Sequence, residues 1–511
     1  MSVPTSPSGR VLTPEERDGL TSCVREAQAS GEVRWLARVV EAEGSGVLEC
    51  YARAEDQDRF FWQRAEAGDL FCALGAVDEI ESDGPGRFAD IRKWSASLSK
   101  RMDWIGANRS SRSETSPVYL GGFGFENEMA SSPHWKAFPA ARFVLPKFIV
   151  EQREENETTV GGKGGSRWVH FVRVEPGAPA SAVESELLGR FDEVLTMSSS
   201  TGDGIGEDCS RDLGRAGEVG PEYIVRADRR HSVFEAQVRR AIQEIEEGGL
   251  AKVVLARSLS VDHDVPFDVP AFLARLRDLY PSCTLVAIGR GKDTFLAATP
   301  ERLVRVAGCE VESAALAGSA PRGRHPEEDQ AFAAALLGSE KENEEHAYVV
   351  ASIRGVVEVL CDDFECSATP ELRRLVGIQH LETRLRGRLR LESDGQKVID
   401  VLGLVEALHP TPAVGGLPAT EAMAWLKHFE GLDRGWYASP VGWLDQSGGG
   451  DFRVALRSAL IRNGLGPTGE SGASHAILFA GAGIVAGSEP ERELVETRIK
   501  LRALLAPMTE I

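Results

Sequence analysis

The sequence lacks several features that would assign it to a common functional class. Its 511 residues contain no apolar run of about 18 residues, so no transmembrane helix is expected. No stripe of Lys and Arg is present and the formal net charge is −20, so we expect no nucleic-acid partner, because phosphate backbones need a basic surface. The N-terminus has no apolar signal-peptide segment, so we expect a cytoplasmic protein that does not bind membranes.

Signatures of zinc and of nucleotide binding are also missing. The eight cysteines include no Cys-x-x-Cys pair, which favours free thiols, and His346 belongs to no His-Glu-x-x-His motif. The glycine-rich stretches GGFGFE, from Gly121, and VGGKGGS, from Val160, match neither common phosphate-binding spacing. We therefore interpret both stretches as hairpin or loop glycines.

The composition predicts a large globular fold. Hydrophobic residues make up 42% and charged residues 27% of the chain, and no internal repeat is visible. Strand-like and helical segments mix irregularly, which indicates the α+β class. Residues 1–20 are predicted to form a flexible N-terminal tail and 21–197 an N-terminal part of the fold. A Gly/Ser/Asp-rich loop is predicted at 198–221, followed by a C-terminal region at 222–511.

Two acidic segments in the C-terminal region are candidates for chemistry. SEKENEEHAYVV places Glu342 and Glu345 three residues apart, and GSEPERELVETRIK places Glu493, Glu496 and Lys500 on one helix face. Alone, each segment is typical of a solvated helix surface. Together, two helices with paired carboxylates would suit Mg²⁺, which prefers oxygen ligands.

Nine segments, taken in order, resemble the chorismate-utilising enzymes, which include isochorismate, salicylate, anthranilate and aminodeoxychorismate synthases. They are KVVLAR, ATPERL, ALAGSAPRG, SEKENEEH, IQHLETRLRG, HPTPAVGG, GWYASPVGW, FRVALRSAL and FAGAGIVAGSEPERELVETRIK. The resemblance covers about residues 230–505, and the upstream segments PVYLGGFGFENE and HWKAFPAARFVLPKF extend it to 60–505. It implies a fold of two facing antiparallel sheets with helices outside, and it makes residues 222–511 a chorismate-binding catalytic region. It also implies a monomer.

The same resemblance implies Mg²⁺ as cofactor and chorismate as the small-molecule substrate. By motif, Glu345 and Glu496 match the direct metal ligands, and Glu342 and Glu493 match residues that hold metal-bound waters. The expected substrate-binding residues are Gly318, His380, Tyr437, Arg457, Gly481, Gly483 and Lys500.

The nucleophile distinguishes the members of this family. Amine-forming members use ammonia or a covalent lysine, but this chain has Ala317 at that lysine position, and it has Lys252 where anthranilate synthases generally have Gln. Lys252 thus matches the base that activates water, and Glu301 the acid that protonates the departing hydroxyl. This pattern favours isochorismate synthase, with salicylate synthase as the alternative.

Two other classes of function remain open at the sequence level. A catalytically inactive metal-binding scaffold would not need the complete set of acid, base and metal residues. A generic metal-dependent hydrolase would use the carboxylates but would not explain Lys252, Arg457 and Lys500. Within the isochorismate-forming class, no motif separates menaquinone from siderophore biosynthesis.

Overall fold

The computed structural model of the protein describes residues 11–43, 46–64, 69–106, 118–152, 165–199, 223–393, 395–464 and 473–509. No helix in these ranges is both long and apolar enough to cross a membrane. Eleven α-helices are present in the described part: α1 Pro14–Ser30, α2 Val47–Arg53, α3 Arg87–Lys100, α4 Ala180–Ser199, α5 His231–Glu246, α6 Val269–Leu279, α7 Pro326–Gly338, α8 Glu340–Val357, α9 Val401–Leu408, α10 Ala419–Phe429 and α11 Pro490–Thr509.

Strands alternate irregularly with these helices, as the sequence predicts. The described ranges contain β1 Arg34–Glu43, β2 Arg59–Gln63, β3 Leu70–Leu74, β4 Asp78–Ser82, β5 Met102–Gly106, β6 Tyr119–Phe123, β7 Ala141–Leu145, β8 Phe148–Gln152, β9 Gly165–Val174, β10 Ile224–Ala227, β11 Lys252–His263, β12 Thr284–Arg290, β13 Asp293–Thr299, β14 Arg302–Ala307, β15 Glu310–Pro321, β16 Cys361–Cys366, β17 Glu371–Arg374, β18 Ile378–Leu389, β19 Gly416–Leu417, β20 Pro440–Leu444, β21 Gly450–Val454, β22 Ser458–Arg462 and β23 Ser474–Ile484.

The strands form two large sheets, which confirms the predicted α+β class. Sheet A has the order β10-β11-β23-β22-β13-β12-β2-β3-β8-β9-β1-β5, with β19 added beside β11. Sheet B has the order β16-β18-β15-β14-β21-β20-β6-β7-β4, with β17 beside β18. The pairing is antiparallel except between β1 and β5, which run parallel. The sheets are therefore mostly, but not entirely, antiparallel.

The N-terminal part and the C-terminal region share both sheets. In sheet A, β2 pairs with β12 and places Trp62 opposite Val286. In sheet B, β6 pairs with β20 and places Leu120 opposite Trp443. Because backbone hydrogen bonds cross the boundary in both sheets, residues 21–197 and the C-terminal region build the same two sheets.

Aromatic side chains from both sheets meet in the largest buried cluster. Trp62 of sheet A and Phe123 and Phe143 of sheet B are fully buried in it. A second cluster packs the other face of sheet A against α2, α6 and α11, with Leu276 and Leu501 almost fully buried. Burial of each such side chain contributes about 1.5–3 kcal/mol to the free energy of folding. The two clusters therefore stabilise the packing on both faces of sheet A.

Several predicted boundaries need correction. Helix α1 begins at Pro14, within the tail predicted at 1–20, because Thr13 caps it: the hydroxyl of Thr13 accepts a hydrogen bond from the Glu16 amide. Helix α4 extends to Ser199, and the remainder of the loop predicted at 198–221 lies outside the described residues. The same is true of the VGGKGGS stretch up to residue 164.

The GGFGFE stretch was expected in a hairpin or loop, but its first glycines lie inside β6. A Cβ atom on Gly121 would stand 1.9 Å from the carbonyl oxygen of Arg142 on the neighbouring β7. Glycine is therefore required by the close approach of two strands and not by a turn.

Candidate active site

A cavity lies between the two sheets, beside α8 and α11. It contains about 710 Å³ of empty space, part of it open to solvent. Val254 of β11 and Gly481 of β23 contribute from sheet A, and Gly318 of β15 and His380 of β18 contribute from sheet B. Ten of the thirteen candidate residues line this cavity: Glu301, Gly318, Glu345, His380, Tyr437, Arg457, Gly481, Gly483, Glu496 and Lys500.

Lys252 lies behind the cavity wall and forms an ion pair with Glu345, which lines the cavity. It is the first residue of β11 and has no exposed surface, and its Nζ lies 2.9 Å from Oε1 of Glu345 on α8. Burial acts to raise the pKa of Glu345, but the charge of Lys252 and its contact with this carboxylate outweigh that effect and lower the pKa. A Cβ atom on Gly483 would lie 2.1 Å from the same Oε1 atom, so glycine makes room for the pair.

Glu301 is a buried carboxyl that is protonated at neutral pH. It follows β13 and Pro300, and only 3% of it is exposed. Burial raises its pKa to about 8, against the opposing effects of Lys252 and Lys500. The Thr299 hydroxyl accepts a hydrogen bond from the Glu301 amide at 3.1 Å, which holds this turn in place. Glu301 can therefore donate a proton into the cavity.

Lys341 of α8 lies between the acidic faces of α8 and α11 and contacts a glutamate on each. Nζ of Lys341 lies 3.2 Å from Oε1 of Glu342 and 2.9 Å from Oε1 of Glu493. The Ser319 amide donates a second hydrogen bond to Glu342 at 2.8 Å. Farther along α11, Nζ of Lys500 lies 2.6 Å from Oε1 of Glu496. Glu493 is 2% exposed, so the solvated-surface interpretation of this helix face is wrong.

The donor set fits a hard divalent cation. Burial raises the pKa of Glu342, and burial together with the neighbouring Glu496 raises the pKa of Glu493 to about 7. Such shifts show that crowded, buried carboxylates resist ionisation, and a nearby cation offsets this cost. In the described ranges no group of three acidic, His or Cys side chains is arranged to hold a metal ion, and lysines contact Glu345, Glu493 and Glu496.

Arg457 and His380 form the opposite side of the cavity. Nη2 of Arg457 lies 3.1 Å from Nε2 of His380, and Nη1 lies 3.7 Å from Sγ of Cys283. Burial, and then the charge of Arg457, lower the pKa of His380 well below its usual value, so this imidazole is neutral. Within the described ranges Arg457 forms no ion pair with a carboxylate, which leaves its charge available to an anionic ligand.

Gly318 shapes the wall beside His380. It lies at an irregularity in the pairing of β15 with β18 and has φ +75°, a conformation that side chains other than glycine rarely adopt. The bulge turns Ser319 so that its hydroxyl lies 3.0 Å from Nδ1 of His380 and its amide contacts Glu342. Through the two contacts of Ser319, this bulge positions both Glu342 and His380.

Tyr437 and β23 form the remaining wall. The Tyr437 ring stacks on Phe479, with centroids 5.3 Å apart, and burial raises the pKa of its hydroxyl. A Cβ atom on Gly481 would approach that hydroxyl to 2.9 Å, and the Gly481 carbonyl accepts a hydrogen bond from Nζ of Lys500 at 2.9 Å. Glycine at position 481 therefore brings Tyr437 close to the strand.

Sequence reasoning missed three contributors to the site. Lys341 joins the two acidic helices, Ser319 contacts both Glu342 and His380, and Cys283 contacts Arg457. Lys341 could have been found, since it lies inside the SEKENEEH segment next to Glu342. Nothing in the local pattern around Cys283 indicates its contact, which arises only when β12 packs near Arg457.

Comparison with known proteins shows the family of this chain. The model of the chorismate binding enzyme family matches residues 20–169 and 190–509. The chain therefore belongs to the chorismate-binding enzyme family, and it is an enzyme of that family.

Individual relatives match most of the chain. A curated protein of Pseudomonas aeruginosa, named salicylate biosynthesis isochorismate synthase, is 33% identical over 96% of this chain and 93% of its own length. Isochorismate synthase MenF of Bacillus subtilis is 31% identical over 88% of each chain. The solved structure of the menaquinone-specific isochorismate synthase MenF from Escherichia coli shares the fold, with a TM-score of 0.68 at 21% identity over 96% of this chain and 99% of that chain.

Proposed function

We propose that the protein is an isochorismate synthase, which adds water at C2 of chorismate and releases the C4 hydroxyl. The observation that carries the proposal is a buried, protonated carboxyl in the cavity wall, Glu301, together with a buried lysine, Lys252, that contacts Glu345 of the same wall. The reaction needs one group that accepts a proton and another that supplies one. The names of the two curated relatives support the same activity.

The proposed step is balanced in atoms and charge. Lys252, once neutral, takes a proton from water while the water oxygen forms a bond to C2. Both ring double bonds shift by one position, the C4–O bond breaks, and Glu301 gives its proton to the departing hydroxyl, which leaves as water. Proton transfer between the two groups restores the enzyme. Hydroxide is a poor leaving group without this proton, so Glu301 must be protonated when the bond breaks.

Cationic and neutral donors of the cavity hold the two substrate carboxylates. Arg457 and Tyr437 are proposed to bind the enolpyruvyl carboxylate, with the neutral His380 beside them, and Lys500 is proposed to contact the ring carboxylate. Arginine presents a planar fork that matches a carboxylate in a bidentate manner. The positions of these residues around one cavity support the assignment.

Mg²⁺ is the proposed cofactor. Glu345 and Glu496 are proposed to bind it directly, and Glu342 and Glu493 through water. When bound, the ion would supply positive charge to the ring carboxylate of the substrate. Support comes from the buried, crowded carboxylates of α8 and α11, whose donor chemistry suits magnesium.

The alternative of a salicylate synthase is not favoured, because both curated relatives described above are named isochorismate synthases. Incubation of the purified protein with chorismate and Mg²⁺, without ammonia, tests the proposal. Isochorismate should be the main product by chromatography and NMR. Salicylate with pyruvate as main products would support the alternative, and anthranilate formed only with ammonia would contradict both.

A monomer is the proposed functional unit. The candidate residues of a single chain meet around one cavity, so no second copy is required to complete the site. Size-exclusion chromatography with light scattering should give a mass near 55.3 kDa for the active species.

A further inference from the structure

A buried ion pair lies in the segment that joins α10 to Tyr437. Glu430 directly follows α10, and Glu430 and Arg434 are 3% and 4% exposed. Arg434 donates a hydrogen bond from Nε to Oε2 of Glu430 at 2.7 Å and another from Nη2 to Oε1 at 2.6 Å. Two bonds between a planar guanidinium and a carboxylate define one orientation, so Glu430 fixes the direction of the Arg434 side chain.

Arg434 holds two segments that line the active-site cavity. Its Nη2 donates a hydrogen bond to the carbonyl oxygen of Val254 at 2.7 Å, and its Nη1 donates one to that of Val414 at 2.8 Å. Val254 belongs to β11 and Val414 to the loop between α9 and β19, and both line the cavity. Oε1 of Glu430 also accepts a hydrogen bond from the Ala256 amide at 2.7 Å. The pair therefore joins β11 to this loop.

The same arginine contacts Tyr437. The Tyr437 amide donates a hydrogen bond to the carbonyl oxygen of Arg434 at 2.9 Å, and the guanidinium carbon lies over the Tyr437 ring, 5.9 Å from its centroid. The guanidinium carbon also lies over the Phe125 ring, 4.2 Å from its centroid. Because Glu430 and Phe125 hold the guanidinium in place, the position of the Tyr437 ring depends on Arg434.

We propose that Arg434, oriented by Glu430, is a positioning residue of the active site that holds Tyr437 and the wall at Val254 and Val414 in place for the substrate. The inference rests on the proposed function, in which Tyr437 binds the enolpyruvyl carboxylate of chorismate. This carboxylate does not react, so its contacts stabilise the bound substrate and the transition state equally. Displacement of Tyr437 should therefore raise KM and leave kcat largely unchanged.

The variant Arg434→Lys tests the proposal. Lysine keeps a positive charge beside Glu430, but its ammonium group cannot form the planar fork and bind both carbonyl oxygens in the same geometry. In assays of isochorismate formation with Mg²⁺, KM for chorismate should rise about 10-fold while kcat stays within about 3-fold of the wild-type value. An unchanged KM, or a fall in kcat at an unchanged KM, would overturn the proposal.

A double-mutant cycle with Tyr437→Phe separates positioning from a general loss of stability. Tyr437→Phe alone should raise KM about 10-fold, because it removes a hydroxyl donor to a charged group. If Arg434 acts through Tyr437, the KM of the double variant should exceed that of Arg434→Lys by less than about 3-fold. Increases that multiply would show that the two residues act independently and would overturn the proposal, as would an unchanged KM of Tyr437→Phe.

The variant Arg38→Lys is the matched control. Arg38 is 2% exposed and its Nε lies 2.9 Å from Oε1 of Glu16, in the packing of α1 against β1, and neither residue belongs to the described lining of the cavity. Arg38→Lys should leave KM unchanged, both alone and in combination with Tyr437→Phe. If it raised KM as much as Arg434→Lys does, the effect would reflect stability alone and the proposal would be wrong.

Binding of chorismate without Mg²⁺, measured by calorimetry, distinguishes failure of this inference from failure of the proposed function. The dissociation constants of the four proteins of the cycle should follow the same pattern as KM, whichever product the enzyme forms. Wild-type protein that binds chorismate but makes no isochorismate would contradict the proposed function alone. Isochorismate formation by the wild type with no coupling between Arg434 and Tyr437 would contradict this inference alone, and no chorismate binding would contradict both.

A second variant covers the case in which Arg434→Lys does not fold. Glu430→Gln has the same shape and keeps an oxygen for the Ala256 amide, but its amide nitrogen cannot accept a hydrogen bond from Arg434. The same rise in KM and the same coupling to Tyr437→Phe are expected. If neither variant yields folded protein, the pair serves stability and the proposal is overturned.

Discussion

Glu301 derives its proposed role from burial. Its pKa of about 8 results mainly from the loss of water around the carboxyl, which outweighs the two nearby lysines. The pKa is raised without any substrate in the cavity. A carboxyl held this way is a proton donor before chorismate arrives.

The shift of Glu301 predicts a pH dependence of stability. Its pKa in the folded protein, about 8, lies above the ordinary value of 4.5, so the folded state binds the proton more tightly than the unfolded state. This contribution is fully present below about pH 4.5 and is lost as the pH rises through about 8. Denaturant unfolding should therefore show that wild type loses up to a few kcal/mol relative to Glu301→Gln across this window. A constant difference between the two proteins would contradict the assigned shift.

The acid and base roles predict separate kinetic losses. Lys252→Ala and Glu301→Gln should each lower kcat roughly 100-fold or more, the usual scale for a positioned proton-transfer group. Chorismate affinity, measured by calorimetry, should persist, because Arg457 and Lys500 are unchanged. In the wild type kcat/KM should fall as the pH rises through about 8, since Glu301 loses its proton there. Near-full activity of Lys252→Ala would show that water is activated elsewhere.

At the scale of elements, helices α8 and α11 differ from ordinary amphipathic helices. The sequence places Glu493, Glu496 and Lys500 on one face of α11, and this face points toward α8. Leu494 and Leu501 are also buried, so α11 is enclosed on more than one side. The periodic pattern showed which residues share a face, but only the packing of α8 beside it shows that this face is not solvated.

If the glutamates of α8 and α11 bind Mg²⁺, their substitution should remove the Mg²⁺ dependence of turnover. Glu345→Ala and Glu496→Ala should each abolish Mg²⁺-dependent turnover and the rise in melting temperature on addition of Mg²⁺. Glu491→Ala is the matched control, because Glu491 is an exposed glutamate on α11 away from the cavity. If Glu345→Ala and Glu496→Ala both keep the Mg²⁺ dependence of turnover and the rise in melting temperature, these two glutamates are not metal ligands.

Strand β23 predicts a steric effect of a single methyl group. Gly483→Ala would place Cβ 2.1 Å from Oε1 of Glu345, so this carboxylate must shift and its contact with Lys252 is disturbed. We expect turnover to fall at least 10-fold, the usual scale for a displaced catalytic group. Gly487→Ala is the control, since its Cβ would make an ordinary contact at 3.6 Å with Lys341, and its activity should stay near that of wild type. Equal activities of the two variants would contradict this account of position 483.

The sequence predicted which residues lie together at the cavity, but it did not predict the contacts that join distant segments. Ordered motifs carry Lys252, Glu301 and the four glutamates, and the structure brings all of them to one cavity or its edge. Contacts between distant segments could not be predicted in this way. The bridge made by Lys341 depends on how α8 packs beside α11, and the bulge at Gly318 depends on the register of β15 against β18.

At the scale of the whole molecule, the two sheets form one structure across the predicted boundary. β2 of the N-terminal part pairs with β12, and β6 pairs with β20. The predicted α+β class and sheet pair follow from the resemblance and from the mixed pattern of strands and helices. The strand order could not be read from the pattern, because pairing between residues more than 200 positions apart leaves no periodic signal in the sequence.

The central claim is that the enzyme adds an oxygen atom of solvent water to C2 of chorismate. Turnover of unlabelled chorismate with Mg²⁺ in oxygen-18 water, followed by mass spectrometry and NMR of the product, tests it most directly. The account predicts isochorismate with one oxygen-18 atom, located in the C2 hydroxyl. Isochorismate that keeps only unlabelled oxygen would show transfer of the original hydroxyl and would contradict the roles assigned to Lys252 and Glu301.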